Sequence, residues 1–150
     1  MDYLSAFFSD YMTARNKFRA AASSLGFHQI AYPINQTTPT GKELTVDVAC
    51  SNALSSGLAI VISGGLHGVE DIHGLSIQLA LQESYRNIVS LSGTKMELVH
   101  ALNPYGFAWL RRWNEYSIDL NHNFLLSEEA FEGSPMNYLK FDSLFARVNR

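Results

Sequence analysis

Hydrophobic residues recur at helical spacing over the first part of the chain, which predicts an amphipathic helix over residues 3–25. Gly26 follows this stretch and is suited to end the helix, because the residue after a helix often adopts a left-handed conformation that glycine reaches without strain. The expected role of the helix is packing. Its apolar positions are Leu4, Phe7, Phe8, Tyr11, Ala14 and Phe18.

Several short stretches have the composition of β-strands. Residues 27–32 predict a strand that is broken at Pro33, and residues 35–42 have the composition of a loop. Residues 58–62 are apolar without alternation, which is typical of a strand buried on both faces of a sheet. Residues 96–102 predict a second buried strand.

Two further stretches carry their apolar residues on one face. Residues 44–49 alternate and predict a strand half exposed to water, and residues 71–85 predict a helix. The apolar face of the strand carries Leu44, Val46 and Val48, and its exposed face carries Thr45 and Asp47. The apolar face of the helix carries Ile72, Leu75, Leu79 and Ile77.

The order of these elements predicts an α/β fold with a mixed sheet flanked by helices. In such sheets, binding and catalytic residues collect beyond the carboxyl ends of the strands. Two unusual motifs lie at such ends, His67-Gly68-Val69-Glu70 after one predicted strand and Asn103-Pro104-Tyr105-Gly106 after another. These two turns are therefore the candidate functional site.

Length and composition narrow the class of protein. The 150 residues make one ordinary domain, and 47% hydrophobic with 17% charged residues is a globular composition. A net charge of -3 without a basic cluster gives no reason to expect nucleic acid as a partner. No apolar stretch approaches the about 20 residues of a membrane helix. Cys50 is the single cysteine, and no signal peptide is recognised, so we expect a cytoplasmic protein.

His67 and Glu70 have the spacing of a metal-ligand pair. Residues three apart lie on one side of a turn, and catalytic zinc often uses two His and one Glu. The glycines beside His67 let the backbone turn sharply and let a metal approach. His-x-x-Glu alone is a weak signal, and the alternative is a solvated His with Glu70 at a favourable helix start.

The downstream residues carry a more specific resemblance. They read His-Ala-Leu-Asn-Pro-Tyr-Gly-Phe-Ala-Trp over 100–109, then Arg-Arg-x-Asn-Glu over 111–115 and Asp-Leu-Asn-His-Asn-Phe over 119–124. Together with His67 and Glu70, this set resembles the zinc carboxypeptidase superfamily, and most closely a poorly characterised bacterial metallopeptidase group. The resemblance implies a zinc carboxypeptidase-like fold, of which residues 1–150 are expected to form the amino-terminal part.

The same resemblance implies roles for individual residues. His67 and Glu70 match the first two zinc ligands, and Arg112 matches the arginine that steadies the oxyanion of the tetrahedral intermediate. Asn121 matches an asparagine that binds the terminal carboxylate of the substrate, with Arg111 as a further candidate for substrate binding or for a surface ion pair. Asp119 is expected to orient its neighbours.

Two departures from the family pattern affect this expectation. His122, a further candidate for substrate binding, stands where the family has an arginine, and a histidine cannot form the same bidentate contact with a carboxylate. The third zinc-binding His and the general-base Glu of the family would come later in the sequence than this chain extends. We therefore expect a domain that is incomplete at its carboxyl end, with an exposed sheet edge that promotes self-association.

Three functions remain open on this basis. The first is a zinc-dependent amide hydrolase of the metallocarboxypeptidase type, acting on peptides. The second is a related deacylase acting on N-acylated amino acids, of the aspartoacylase/succinylglutamate desuccinylase type. The third is an inactive fragment or binding module.

Overall fold

The computed structural model describes residues 7–51, 59–68, 70–85 and 94–122. The strands form a mixed sheet with the order β1-β2-β4-β3, in which β1–β2 and β2–β4 are antiparallel and β3–β4 is parallel. This arrangement confirms the predicted α/β class with a mixed sheet. The elements are α1 Tyr11–Ser24, β1 His28–Thr37, β2 Glu43–Cys50, β3 Ala59–Ser63, α2 Asp71–Tyr85, β4 Lys95–His100 and α3 Pro104–Ala108.

Helix α1 begins later than the hydrophobic pattern predicts. Its N-cap is Asp10, whose side chain accepts a hydrogen bond from the backbone N–H of Thr13 at 2.9 Å. Residues 3–6 of the predicted helix lie outside the described residues. At the other end, Gly26 has a φ of +69°, as expected for the residue after a helix.

Strand β1 corrects the prediction that Pro33 ends the strand. The strand continues to Thr37, with Pro33 paired to Thr45 and an irregularity before the pair Thr37 and Glu43. Proline is tolerated because β1 is an edge strand of the described sheet. The backbone nitrogen of Pro33, which has no hydrogen to donate, can lie on the side of β1 that has no neighbouring strand. The predicted loop over 35–42 is shorter in the structure, where a hairpin turn over 38–42 connects β1 and β2. The N–H of Thr38 donates to the carbonyl of Lys42 at 2.7 Å and closes this turn.

Strand β2 shows that the predicted exposed face is the covered one. Thr45 and Asp47 are each 2% exposed, whereas Val46 and Val48 are only partly buried. The reason is that α1 covers the polar face and supplies partners for it. Arg19 donates to both carboxylate oxygens of Asp47, at 2.7 and 2.8 Å.

The predictions of burial for β3 and for one residue of α2 were also wrong. Val61 of β3 is 61% exposed, because β3 lies at the other edge of the described sheet. Ile77 is 70% exposed because it follows Leu75 by two positions, which places it on the opposite side of the helix. Self-association through this edge stays a prediction.

The core lies between the sheet and the helices α1 and α2. His100 is fully buried in it and stacks on Phe18 with ring centroids 4.5 Å apart, and its Nδ1 lies 3.3 Å from Oε1 of Gln78. Burial lowers the pKa of His100 to about 4, so the ring is neutral at pH 7. None of the helices in the described ranges is long and apolar enough to span a membrane.

Candidate metal centre

The two candidate turns lie side by side because β3 and β4 are parallel neighbours. Ser63 pairs with Val99, so both strands end at the same edge of the sheet. Beyond the strands, the N–H of Leu102 donates to the carbonyl of Gly64 at 3.0 Å, and the N–H of Asn103 donates to the carbonyl of Gly65 at 2.6 Å. The sheet therefore brings the His67 turn and the Asn103 turn together.

Two glycines permit this close approach. Gly65 has a φ of +79°, and a Cβ there would lie 2.5 Å from Cα of Ala101. A Cβ on Gly68 would lie 1.9 Å from the carbonyl carbon of Gly106. No side chain larger than hydrogen fits either contact, since the opposing atoms belong to the backbone.

His67 contacts two carboxylates through its two ring nitrogens. Its Nδ1 lies 3.4 Å from Oε2 of Glu70, and its Nε2 lies 3.2 Å from Oδ1 of Asp119. We assign the ring proton to Nε2, because Asp119 is positioned to accept it and a metal ligand nitrogen commonly has such a partner on the other side of the ring. The lone pair of Nδ1 is then directed toward Glu70.

Arg112 joins the same group. Its Nε donates to Oδ2 of Asp119 at 2.8 Å, and its Nη1 lies 3.6 Å from Oε1 of Glu70. The hydrogen bond from Arg112, together with those from the Asn121 backbone N–H and from His67, holds the pKa of Asp119 well below its ordinary value. Asp119 is thus an anion that orients both His67 and Arg112.

The separation of the donor atoms of His67 and Glu70 is compatible with a shared zinc ion. Two donors that each lie about 2.1 Å from a tetrahedral zinc ion are about 3.4 Å apart, which is the separation of the Nδ1 and Oε2 atoms. In the part of the chain that the structure describes, no three His, Cys, Asp or Glu side chains are placed to hold one metal ion together. The roles of His67 and Glu70 as metal ligands stay predictions.

Comparison with known protein families assigns the chain to one of them. The family model described as "Protein of unknown function (DUF2817)" matches residues 7–148. The chain belongs to this DUF2817 family. A search of curated protein sequences gave no match.

Solved structures share the fold of this DUF2817 chain. A candidate metallopeptidase from Shewanella amazonensis SB2B is 20% identical with a TM-score of 0.57, and the match covers 91% of the DUF2817 chain and 51% of that protein. A candidate metallopeptidase from Shewanella denitrificans OS217 is 19% identical with a TM-score of 0.53, covering 88% and 47%. The likeness confirms the predicted zinc carboxypeptidase-like fold. The DUF2817 chain spans about half the length of these two relatives.

A third relative has a different description. A candidate succinylglutamate desuccinylase/aspartoacylase from Shewanella frigidimarina NCIMB 400 is 15% identical with a TM-score of 0.51. The match covers 83% of the DUF2817 chain and 32% of that protein. At this level of identity, the comparison shows a shared fold.

The remaining candidate residues of the DUF2817 chain lie around this group with their side chains at the surface. The backbone N–H of Asn121 donates to Oδ1 of Asp119 at 3.0 Å, and that of His122 donates to the Asp119 carbonyl at 3.2 Å. Arg111 is exposed and donates its backbone N–H to the carbonyl of Gly106 at 2.7 Å. The substrate-binding roles of Arg111, Asn121 and His122 stay predictions. The structure brings His67, Glu70, Arg112 and Asp119 together.

Two residues near the group of this DUF2817 chain were missed by the sequence analysis. Asp71 is 5% exposed, and its Oδ2 has no hydrogen-bond partner among the residues that the structure describes. Burial raises the pKa of this carboxyl to about 7. An acidic residue at the start of a helix gives no sign of such burial. The other is Asn103, which lies in one of the two candidate turns but was given no role of its own; it is 1% exposed.

Proposed function

We propose that this DUF2817 chain forms the ligand-bearing amino-terminal part of a zinc-dependent amide hydrolase of the metallopeptidase type. The observation that carries the proposal is the double contact of His67, with Nε2 on Asp119 and Nδ1 facing Glu70 at 3.4 Å. A carboxylate behind a histidine fixes its tautomer and raises its basicity as a ligand. The fold shared with candidate metallopeptidases supports the proposal.

The described residues divide the work of such a site. His67 and Glu70 hold the metal, which when bound supplies Lewis acidity toward a carbonyl and toward water. Arg112 is 43% exposed in its side chain, so a substrate can reach it. Its contact with Glu70 is long at 3.6 Å, so Nη1 would be available to a developing oxyanion if Glu70 held the metal.

Zinc titration of the purified chain tests the metal site. We expect measurable but weak binding, because the described residues contribute two donors, and we expect His67→Ala to reduce the affinity at least about tenfold. Isothermal titration calorimetry gives both affinities. His73→Ala is the matched control, since His73 is exposed and lies against the ring of Phe7 with centroids 6.4 Å apart. Tight zinc binding that His67→Ala left unchanged would refute the site.

A deacylase acting on N-acylated amino acids is the second candidate, and the fold shared with a candidate desuccinylase/aspartoacylase favours it. We prefer peptides as the substrate class. An N-acylated dicarboxylic amino acid carries two carboxylates, and its recognition requires two fixed cations. Among the described residues, Asp119 holds the guanidinium of Arg112, whereas the side chain of Arg111 makes no such ion pair.

Ligand binding separates these two substrate classes. We expect short peptides with a free carboxyl terminus to shift the NMR signals of Arg112 and Asn121 in the zinc-loaded chain at lower concentration than N-acetylaspartate does. Arg112→Gln is expected to weaken binding of both ligands, since the fixed cation is lost in each case. Stronger binding of N-acetylaspartate would favour the deacylase.

A further inference from the structure

Asn103 has more hydrogen bonds than a helix cap requires. It is 1% exposed, and its Oδ1 accepts from the N–H of Gly106 at 2.8 Å, which caps α3. Its Nδ2 also donates to two carbonyls, those of Leu66 and Arg112, each at 3.3 Å. Capping of α3 accounts for the hydrogen bond that Oδ1 accepts. It does not account for the two hydrogen bonds that Nδ2 donates, because neither goes to a residue of α3.

The two carbonyls belong to the two segments that must meet in the candidate centre. Leu66 directly precedes His67, and the Arg112 carbonyl belongs to the residue whose guanidinium contacts Asp119 and Glu70. Asp119 joins these segments through their side chains. Asn103 joins them through their backbones, from a buried position beneath the site.

We propose that Asn103 is a positioning residue, whose amide group holds the His67 turn and the Arg112 segment in the register that places Nε2 of His67 and Nε of Arg112 on the same carboxylate. The two contacts on Asp119, at 3.2 and 2.8 Å, depend on the two backbones keeping their separation. An amide supplies this arrangement because it carries two donor hydrogens and an acceptor on one short side chain.

Replacing Asn103 by aspartate separates capping from positioning. Aspartate is as good an N-cap as asparagine and keeps an acceptor for Gly106, but it has no donor for Leu66 or Arg112. Its charge faces two carbonyl oxygens, which drives the segments apart. Asn103→Ser is the second variant, because it keeps a capping oxygen and removes the amide donors without adding a charge.

Asn114→Asp is the matched control. Asn114 lies in the same region, and its Oδ1 accepts from the N–H groups of Tyr116 and Ile118 at 3.0 and 2.9 Å. Aspartate retains both of these bonds. The control therefore introduces the same chemical change near the site without removing a bridge between its two segments.

The test is the tautomer of His67 in the metal-free chain, measured by long-range ¹H–¹⁵N NMR. We expect the proton on Nε2 in the wild type and in Asn114→Asp, and a mixture of tautomers in Asn103→Asp and Asn103→Ser. A role confined to capping would leave the tautomer of the folded molecules unchanged. Retention of the Nε2–H tautomer in both Asn103 variants overturns the proposal.

Zinc affinity provides a second readout, and this one rests on the proposed function. If wild-type chain binds zinc through His67, Asn103→Asp is expected to weaken the affinity about tenfold, as loss of a group that orients a ligand does. If the wild type binds no zinc, the proposed function fails, and the tautomer measurement still decides the role of Asn103.

Discussion

Replacing Gly68 by alanine is expected to lower the free energy of unfolding by about 3 kcal/mol and to force the two candidate turns apart. The added Cβ would lie 1.9 Å from the carbonyl carbon of Gly106, 2.1 Å from its oxygen and 2.3 Å from the nitrogen of Phe107. All three atoms belong to the backbone, so no rotamer change relieves the overlap. Chemical denaturation of the purified variant measures the loss.

Gly74→Ala is the matched control for this substitution. Gly74 lies within α2, and a Cβ there would meet nothing within 4 Å. Alanine is favoured over glycine inside a helix, so this variant is expected to gain up to about 1 kcal/mol of stability. Equal stabilities for Gly68→Ala and the wild type would show that the turns are not packed as described.

The contact between Gly68 and Gly106 illustrates what the sequence can and cannot predict. The motifs around His67 and Asn103 were recognised, and the rule that active residues follow the carboxyl ends of strands placed them in one site. Which backbone atoms would touch depends on the parallel register of β3 and β4, which pairs Ser63 with Val99. The sequence of either strand alone does not determine that register.

The same distinction separates the correct from the incorrect fold predictions. Helices α1 and α2 follow local periodicity, so the sequence predicted both of them. The burial of β3 depends on its position in the sheet, and the persistence of β1 beyond Pro33 depends on which side of that strand is unpaired. These are properties of the assembled sheet rather than of any one segment.

The residues of the candidate centre were predictable to different degrees. His67, Glu70 and Arg112 were identified by type, spacing and resemblance, and they lie together in the structure. The role of Asn103 was not predictable, because its Nδ2 bonds to carbonyl groups, and every residue has a carbonyl group. A sequence pattern cannot identify a partner that any residue type could supply.

Strand β2 shows why alternation alone assigned its faces incorrectly. Asp47 was expected in water because charged residues are rarely buried without partners. Here two partners come from a distant helix: Arg19 of α1 binds both carboxylate oxygens, and Arg15 of α1 lies 3.4 Å from Oδ2. Thr45, on β2 itself, donates to Oδ1 at 2.7 Å. The polar face of β2 is therefore the face that docks α1.

Asp47→Asn is expected to destabilise the protein by about 3 kcal/mol at pH 7, because it leaves the buried Arg15 and the partly buried Arg19 without a counter-charge. Thermal or chemical denaturation measures the loss. Asp10→Asn is the matched control, since it makes the same carboxylate-to-amide change on α1. Asparagine caps a helix about as well as aspartate does, so a change within about 0.5 kcal/mol is expected there.

The pH dependence of the same variant tests whether the charge of Asp47 is responsible. Burial acts to raise the pKa of Asp47, but hydrogen bonds from Arg19 and Thr45 and the charges of both arginines outweigh it, so the pKa lies below its ordinary value of 3.8. Its contribution to stability is then fully present above that value and is lost as the pH falls through the pKa of the folded state. The stability difference between wild type and Asp47→Asn is expected to be constant from pH 7 to about 5 and to shrink in stronger acid. A difference that stayed the same at every pH would point to side-chain shape, instead of the buried charge, as the reason that α1 depends on Asp47.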